Sequence, residues 1–318
     1  MVIRNSTARS IVLSLLALLI TAGPAYAQKR IALSFDDAPR DAGAFFTPDE
    51  RTKKLIKALK TARVKQAVFF VTPGNLEKPT GVGGEARIAR YTKAGHVIAN
   101  HSYGHTALTA MTAEAYLADI DKAEAWLKGR KGYRPWFRFP YLNEGQRDKV
   151  KRDAIRTGLK ERGLQNGYVT AEASDWNMET LTVAAKAANK PYNIDDLRNY
   201  YVTLHVEAAN VYNDLAVKTI GRSPAHMMLL HETDIAALFI GDLVAALRKD
   251  GWEIITADAA YADPISKVVP DVPSAQGSLI EAMAWEKKLP APRWYKYNNT
   301  DLATKLFHEN VLKEAAVP

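Results

Sequence analysis

From about residue 28 almost to residue 260, short β-rich apolar runs alternate with stretches whose apolar positions recur at helical spacing. Seven runs read as strands: Ile31–Phe35, Ala67–Val71, Val97–Ala99, Trp136–Arg138, Tyr168–Ala171, Met227–Leu230 and Glu253–Thr256. Between them, Leu117, Ile120 and Leu127 mark a helix ending at Gly129. Leu243 and Leu247 mark another that ends at Lys249 and Gly251. Leu55, Ile56 and Leu59 oppose Lys53, Lys54, Lys57 and Lys60 on a third helix, and Ile194 to Ile220 predicts one long helix in which His205 is a packed or surface residue. Such alternation is the mark of βα units around a parallel sheet. It stops after Asp263, where Val268 to Gly277, with Pro270 and Pro273, predicts a meandering loop. One helix, Leu279–Lys287, follows, and then the aromatic cluster Trp294, Tyr295 and Tyr297.

Composition narrows the chemistry. Residues 1–27 carry Arg4 and Arg9, an apolar run from Ile11 to Ala22, and Ala25-Tyr26-Ala27, the layout of an export signal; the run is shorter than the roughly 20 residues a membrane span needs. The expectation is an exported protein, periplasmic or secreted, with no membrane span in the mature chain. Cysteine is absent, so a zinc-finger or thiol-enzyme reading is excluded and any metal site must use histidine and carboxylate ligands. The net charge is +8, of which the leader supplies two; the remaining bases are scattered rather than gathered in one tract, which argues against nucleic-acid binding.

Polar residues collect where the predicted strands end. Strand one runs into Ser34-Phe35-Asp36-Asp37-Ala38-Pro39, where adjacent carboxylates can serve one as a metal ligand and the other toward a substrate. Alone, Asp-Asp before Pro is more often a turn or helix cap than a catalytic pair. Directly after strand three comes Asn100-His101-Ser102-Tyr103-Gly104-His105. Histidines four apart on one helical turn share a face, and with one carboxylate they make a two-His-one-Asp set that leaves coordination positions open, as a catalytic metal requires. Arg138-Phe139-Pro140-Tyr141, Ser174-Asp175-Trp176 and Leu229-Leu230-His231 close later strands. Each has a plain structural explanation by itself, but functional side chains gather at the C-terminal strand ends of βα barrels, and five of the seven predicted strands deliver a polar group there.

These five motifs, in this order over Ile31 to Asp263, resemble the polysaccharide deacetylases of carbohydrate esterase family four, the family of the NodB-homology domain. The resemblance implies a distorted seven-stranded (β/α) barrel of the TIM-like type, organised as a signal peptide over 1–27, a deacetylase barrel over 28–263 and a C-terminal extension over 264–318. It implies a divalent metal, zinc foremost with cobalt, nickel or manganese as alternatives, held by Asp37, His101 and His105. Asp36 then matches the catalytic base, Arg138 the residue that holds it, and the Tyr141 N–H an oxyanion donor. Trp176 and Leu229 match the apolar walls around the acetyl methyl, and His231 the general acid. Asp175 matches the acid that tunes His231, with Glu172 as a nearby alternative. The sequence departs from the family pattern at Ala38, where glycine is usual, at Tyr103 between the histidines, and at Glu232, where many relatives have aspartate.

The activity implied is removal of N-acetyl groups from an acetylated glycan, peptidoglycan or chitin-like. Competing readings on the same scaffold are an acetylxylan-type O-deacetylase, a small-molecule amidase, and a glycan-binding protein without turnover. Intact Asp36, Asp37, His101, His105 and His231 argue against the last. Under any of them the tail aromatics either pack on the domain or stack on sugar rings.

Overall fold

The computed structural model describes residues 28–314; the expected signal peptide lies outside them. Nine strands are present among the described residues: β1 (Arg30–Ala38), β2 (Val68–Val71), β3 (Val97–Asn100), β4 (Tyr133–Phe137), β5 (Asn143–Gln146), β6 (Gln165–Asn166), β7 (Ala225–His231), β8 (Glu253–Ile254) and β9 (Ala275–Gln276). Ten α-helices separate and follow them: α1 (Pro48–Thr61), α2 (Gly84–Lys93), α3 (Ala113–Leu127), α4 (Lys149–Glu161), α5 (Asp175–Ala187), α6 (Ile194–Ile220), α7 (Asp234–Lys249), α8 (Ala257–Tyr261), α9 (Leu279–Glu286) and α10 (Thr300–Asn310). The helical starts follow local chemistry. Thr47 and Glu50 form a reciprocal capping box ahead of α1, and Thr112, Asn193 and Thr233 cap α3, α6 and α7 through side-chain oxygens. The predicted long helix is α6, ended by Gly221 at φ 74°.

All strands of the main sheet are parallel, in the order β6-β4-β3-β2-β1-β7, with β8 pairing the start of β1. The central strands are apolar on both faces, as a sheet covered by helices demands: every residue of β2 and β3 is buried. Phe35 and Phe69 stack with centroids 5.0 Å apart, and Tyr91 of α2 lies 3.8 Å beyond Phe69. The sheet curls, because the segment that begins as β6 beside β4 also reaches β7, where Ala171 bridges Met228 and the Leu229 N–H donates to the Ala171 carbonyl at 2.9 Å. The barrel expected from sequence therefore exists as a curled parallel sheet clothed by helices.

Four local expectations need correction. Tyr168–Ala171 is not a regular strand. At its start the Gly167 carbonyl is taken by Arg138 Nε at 2.7 Å and the Tyr168 carbonyl by the Tyr261 hydroxyl at 3.0 Å, so only its end, at Thr170 and Ala171, keeps backbone bonds to β7. His101 and His105 do not sit on a helical turn: the loop after β3 is irregular, with Ser102 and His105 both left-handed at φ 64° and 52°. Val268–Gly277 is not all loop, since β9 pairs antiparallel with β5 in a small second sheet. Finally, the extension holds two α-helices, not one. Helix α10 was missed, and Phe307 on it packs edge-on against Tyr200 at 5.6 Å. Of the aromatic cluster, Tyr295 is buried and donates to Glu207 at 2.7 Å, while Trp294 stays half exposed.

Candidate active site

Sheet register makes the first juxtaposition. Asp36 on β1 pairs with His231 on β7, and Ser34 with Leu229 two residues earlier. Asp37 then takes a left-handed conformation at φ 65°, which breaks strand alternation and leaves both carboxylates lining one cleft of about 540 Å³. Its walls include His101, His105, Tyr141, Trp176, Leu229 and His231.

Asp37 Oδ1 lies 2.9 Å from His105 Nε2 and 3.3 Å from His101 Nε2. The three ligand atoms all fall within 4.8 Å of one another. His101 Nδ1 lies 2.9 Å from the Arg138 carbonyl, which fixes the proton on Nδ1 and turns the Nε2 lone pair toward Asp37. The loop is shaped for this. Asn100 Oδ1 accepts from the Ser102 N–H at 2.7 Å, Ser102 Oγ from the His105 N–H at 2.9 Å, and Asp119 from the amides of Tyr103 and Gly104. Asp37 Oδ1 is buried without a well-aligned donor. A buried acceptor facing two imidazole nitrogens is a donor set that fits a divalent cation such as zinc. Burial would raise the Asp37 pKa, but the close His101 and His105 imidazoles and the nearby His231 outweigh it and hold the carboxyl well below its ordinary range.

Asp36 lies beside this cluster, its Oδ2 at 3.6 Å from His101 Nε2. Its other oxygen accepts from Arg138 Nη1 at 2.6 Å, and the same nitrogen donates to Ser34 Oγ at 2.7 Å. Arg138 does not line the cleft face as a free charge. It is 1% exposed, and its remaining donors reach Gly167 O and the Tyr261 hydroxyl.

On the adjoining strand, His231 Nδ1 and its backbone N–H each lie 2.7 Å from an oxygen of Asp175. Burial disfavours the imidazolium, but Asp175 more than offsets it, so the His231 pKa is raised. Asp175 opens α5 behind the left-handed Ser174 at φ 49°. Between Asp175 and Glu172, the geometry selects Asp175 as the partner of His231. Glu172 faces the cleft, and burial, then the neighbouring carboxylates, push its pKa up to about 7 against the pull of His231.

Tyr141 and Leu142 form a left-handed pair at φ 58° and 50°, with the Tyr141 ring half open to solvent and centred 4.7 Å from His105. Left-handed non-glycine residues thus recur around the cleft, at Asp37, Ser102, His105, Tyr141, Leu142 and Ser174. Tyr103 is turned away, toward Glu77 and Lys122. Glu232 is buried beneath the first loop and accepts from Arg40 N at 2.9 Å and Tyr91 Oη at 2.6 Å.

Sequence reasoning missed six residues around the cleft. Arg40 donates to Asp37 Oδ2, and a lone arginine after Pro39 carries no signal of that. Ser34 and Tyr261 brace Arg138. Gln276, Gly277 and Asn298 of the extension line the cleft, and only the fold brings them there.

Residues 24–162 match the sequence model of a family described as polysaccharide deacetylase. A peptidoglycan-N-acetylglucosamine deacetylase of Bacillus cereus is 35% identical over 129 residues, 41% of this chain and 42% of that protein. A peptidoglycan-N-acetylmuramic acid deacetylase of Bacillus subtilis is 30% identical over 129 residues, 40% of this chain and 25% of that protein. The match thus spans less than half the length of either relative. Among solved structures, a family 4 carbohydrate esterase from Streptomyces lividans aligns with a TM-score of 0.48 and 19% identity, over 76% of this chain and 98% of that one. Over residues 24–162, therefore, the chain is similar in sequence to polysaccharide deacetylases.

Proposed function

We propose that the protein is a metal-dependent hydrolase that removes N-acetyl groups from an acetylated glycan, the bacterial cell-wall polymer or a chitin-like chain. The observation that carries the reading is the convergence of Asp37, His101 and His105 beside Asp36, with the Asp175-paired His231 on the adjoining strand. The names of the two bacillar relatives support the glycan class, and the half-exposed Trp176 and Tyr141 offer aromatic surface to a sugar.

An unstrained amide is a poor electrophile, and an amine is a poor leaving group, so help is needed at both ends. Asp37, His101 and His105 would hold the divalent ion, which when bound polarises the acetyl carbonyl and acidifies the attacking water. Asp36 accepts the water's proton on its carboxylate while Arg138 keeps that carboxylate from turning away. As charge builds on the carbonyl oxygen, the Tyr141 N–H donates to it. His231 then gives its proton to the departing nitrogen, a role that its raised pKa suits. Trp176 and Leu229 enclose the methyl.

The test is acetate release from acetylated chito-oligosaccharides and cell-wall fragments, before and after chelation and after zinc is restored. Loss on chelation with recovery on reloading is expected. Equal turnover in stripped and reloaded samples, or no release from any acetylated glycan, would defeat the proposal.

A further inference from the structure

The extension does more than cover the domain. It touches two of the left-handed turns that shape the cleft. The Gly277 N–H donates to the Leu142 carbonyl at 3.2 Å, while β9 pairs with β5, which starts at the very next residue, Asn143. The Tyr141–Leu142 turn is thereby held from its C-terminal side by residues more than 130 positions away in sequence. On the other side of the cleft, Asn298 lies 3.5 Å from Ser174 Oγ, and its Nδ2 donates to the Tyr212 hydroxyl at 2.9 Å. Tyr212 in turn reaches Glu281 at 2.5 Å, which closes a chain of contacts from Ser174 through α6 to the helix that follows Gly277.

Gly277 is built for this contact. It sits at φ 89°, and a Cβ there would meet Glu281 Oε2 at 2.1 Å. A side chain there would collide with Glu281 and strain the left-handed backbone whose N–H reaches Leu142. The extension itself is firmly seated, with Leu279, Ile280, Tyr295 and Phe307 all buried. It is a rigid brace rather than a hanging tail.

We propose that the C-terminal extension is a positioning element of the active site, holding the turn that presents the Tyr141 N–H through Gly277 and the turn that launches Asp175 through Asn298. This rests on the deacetylase reading for its kinetic consequence but not for its structural one. A group held by the brace is needed only as charge develops, so loosening it slows the chemical step and leaves ground-state binding alone. A displacement of about 1 Å at such a turn costs on the order of 10²-fold in rate.

The experiment compares the full chain with Gly277→Ala, Asn298→Ala, and Gly277→Ala combined with Glu281→Ser, which removes the atom that the new methyl meets. Gly277→Ala is expected to lower kcat by about 10- to 100-fold, with KM within about twofold and zinc affinity unchanged by calorimetry. The double variant recovers part of the loss, and Asn298→Ala gives a smaller fall of the same kind. Amide hydrogen exchange at residues 141–143 is read in parallel and should quicken in Gly277→Ala. Unchanged exchange there overturns the proposal, as does a rise in KM at constant kcat, which would make the extension a binding wall only. If Gly277→Ala does not fold, the kcat of Asn298→Ala decides, and an unchanged value counts against the proposal. A wild-type chain that releases no acetate yet shows the exchange change defeats the functional reading and leaves the brace standing.

Discussion

Asp36 and Asp175 are both buried and both hydrogen bonded at 2.6 to 2.7 Å, yet they are prepared for different work. Asp36 gives one oxygen to Arg138 and keeps the other near the metal-fitting cluster. Asp175 gives both oxygens to His231, one to the ring and one to the backbone. The lesson is that a carboxylate's availability is set by how many of its lone pairs the fold has already claimed. The acid with an oxygen to spare is suited to accept a proton, whereas the fully engaged one acts through its partner.

Breaking the first arm should cost most. Asp36→Asn keeps the shape and removes the proton acceptor, and kcat is expected to fall by about 10²- to 10⁴-fold while zinc titration still shows one tight site; retained turnover would move the base elsewhere. Next comes Arg138→Ala, which leaves Asp36 buried without its cation. We expect a loss of about 3–5 kcal/mol in denaturant unfolding, and a loss under about 1 kcal/mol would mean the pair is solvated in the folded chain.

The second arm is sharpened by Asp175→Asn. His231 must be protonated to serve the leaving nitrogen, so activity declines as pH rises through its raised pKa. Without Asp175 that decline should begin at lower pH, alongside a fall in kcat of about 10²-fold; an unmoved alkaline limb would remove Asp175 from the role.

The smallest expected effect concerns a third carboxylate that neither arm uses. Burial, and then Glu172, push Glu281 up to about 8. A carboxyl whose folded pKa lies above its unfolded value adds stability that is complete below the unfolded value and is lost as pH climbs through the folded one. The melting temperature should therefore drop by a few degrees between pH 6 and 9 in the wild type, and less in Glu281→Gln. Parallel curves for the two proteins would show that Glu281 keeps its ordinary pKa.

Much of this was legible in the residues themselves. The βα alternation, the long α6 and the strand-end positions of Asp36, Asp37, His101, Arg138 and His231 follow from periodicity, because burial imposes its period on the sequence directly. The loop between His101 and His105 was misread as helical for an instructive reason. A spacing of four suits a helix, but Asn100, Ser102 and Asp119 supply side-chain acceptors that satisfy the loop's amides without one. The run at Tyr168 is not a regular strand because the carbonyls at its start, Gly167 and Tyr168, are claimed by Arg138 and Tyr261.

By itself, then, the sequence determined the class of fold and which polar residues stand at the strand ends, since both are written in local pattern and residue type. Only the tertiary structure decided which oxygen of Asp36 is free, which acid holds His231, and that Gly277 and Asn298 reach the cleft. Those outcomes depend on contacts between segments far apart along the chain. Such contacts are fixed by sheet register and side-chain packing across the whole core, and leave no periodic trace in any one stretch of residues.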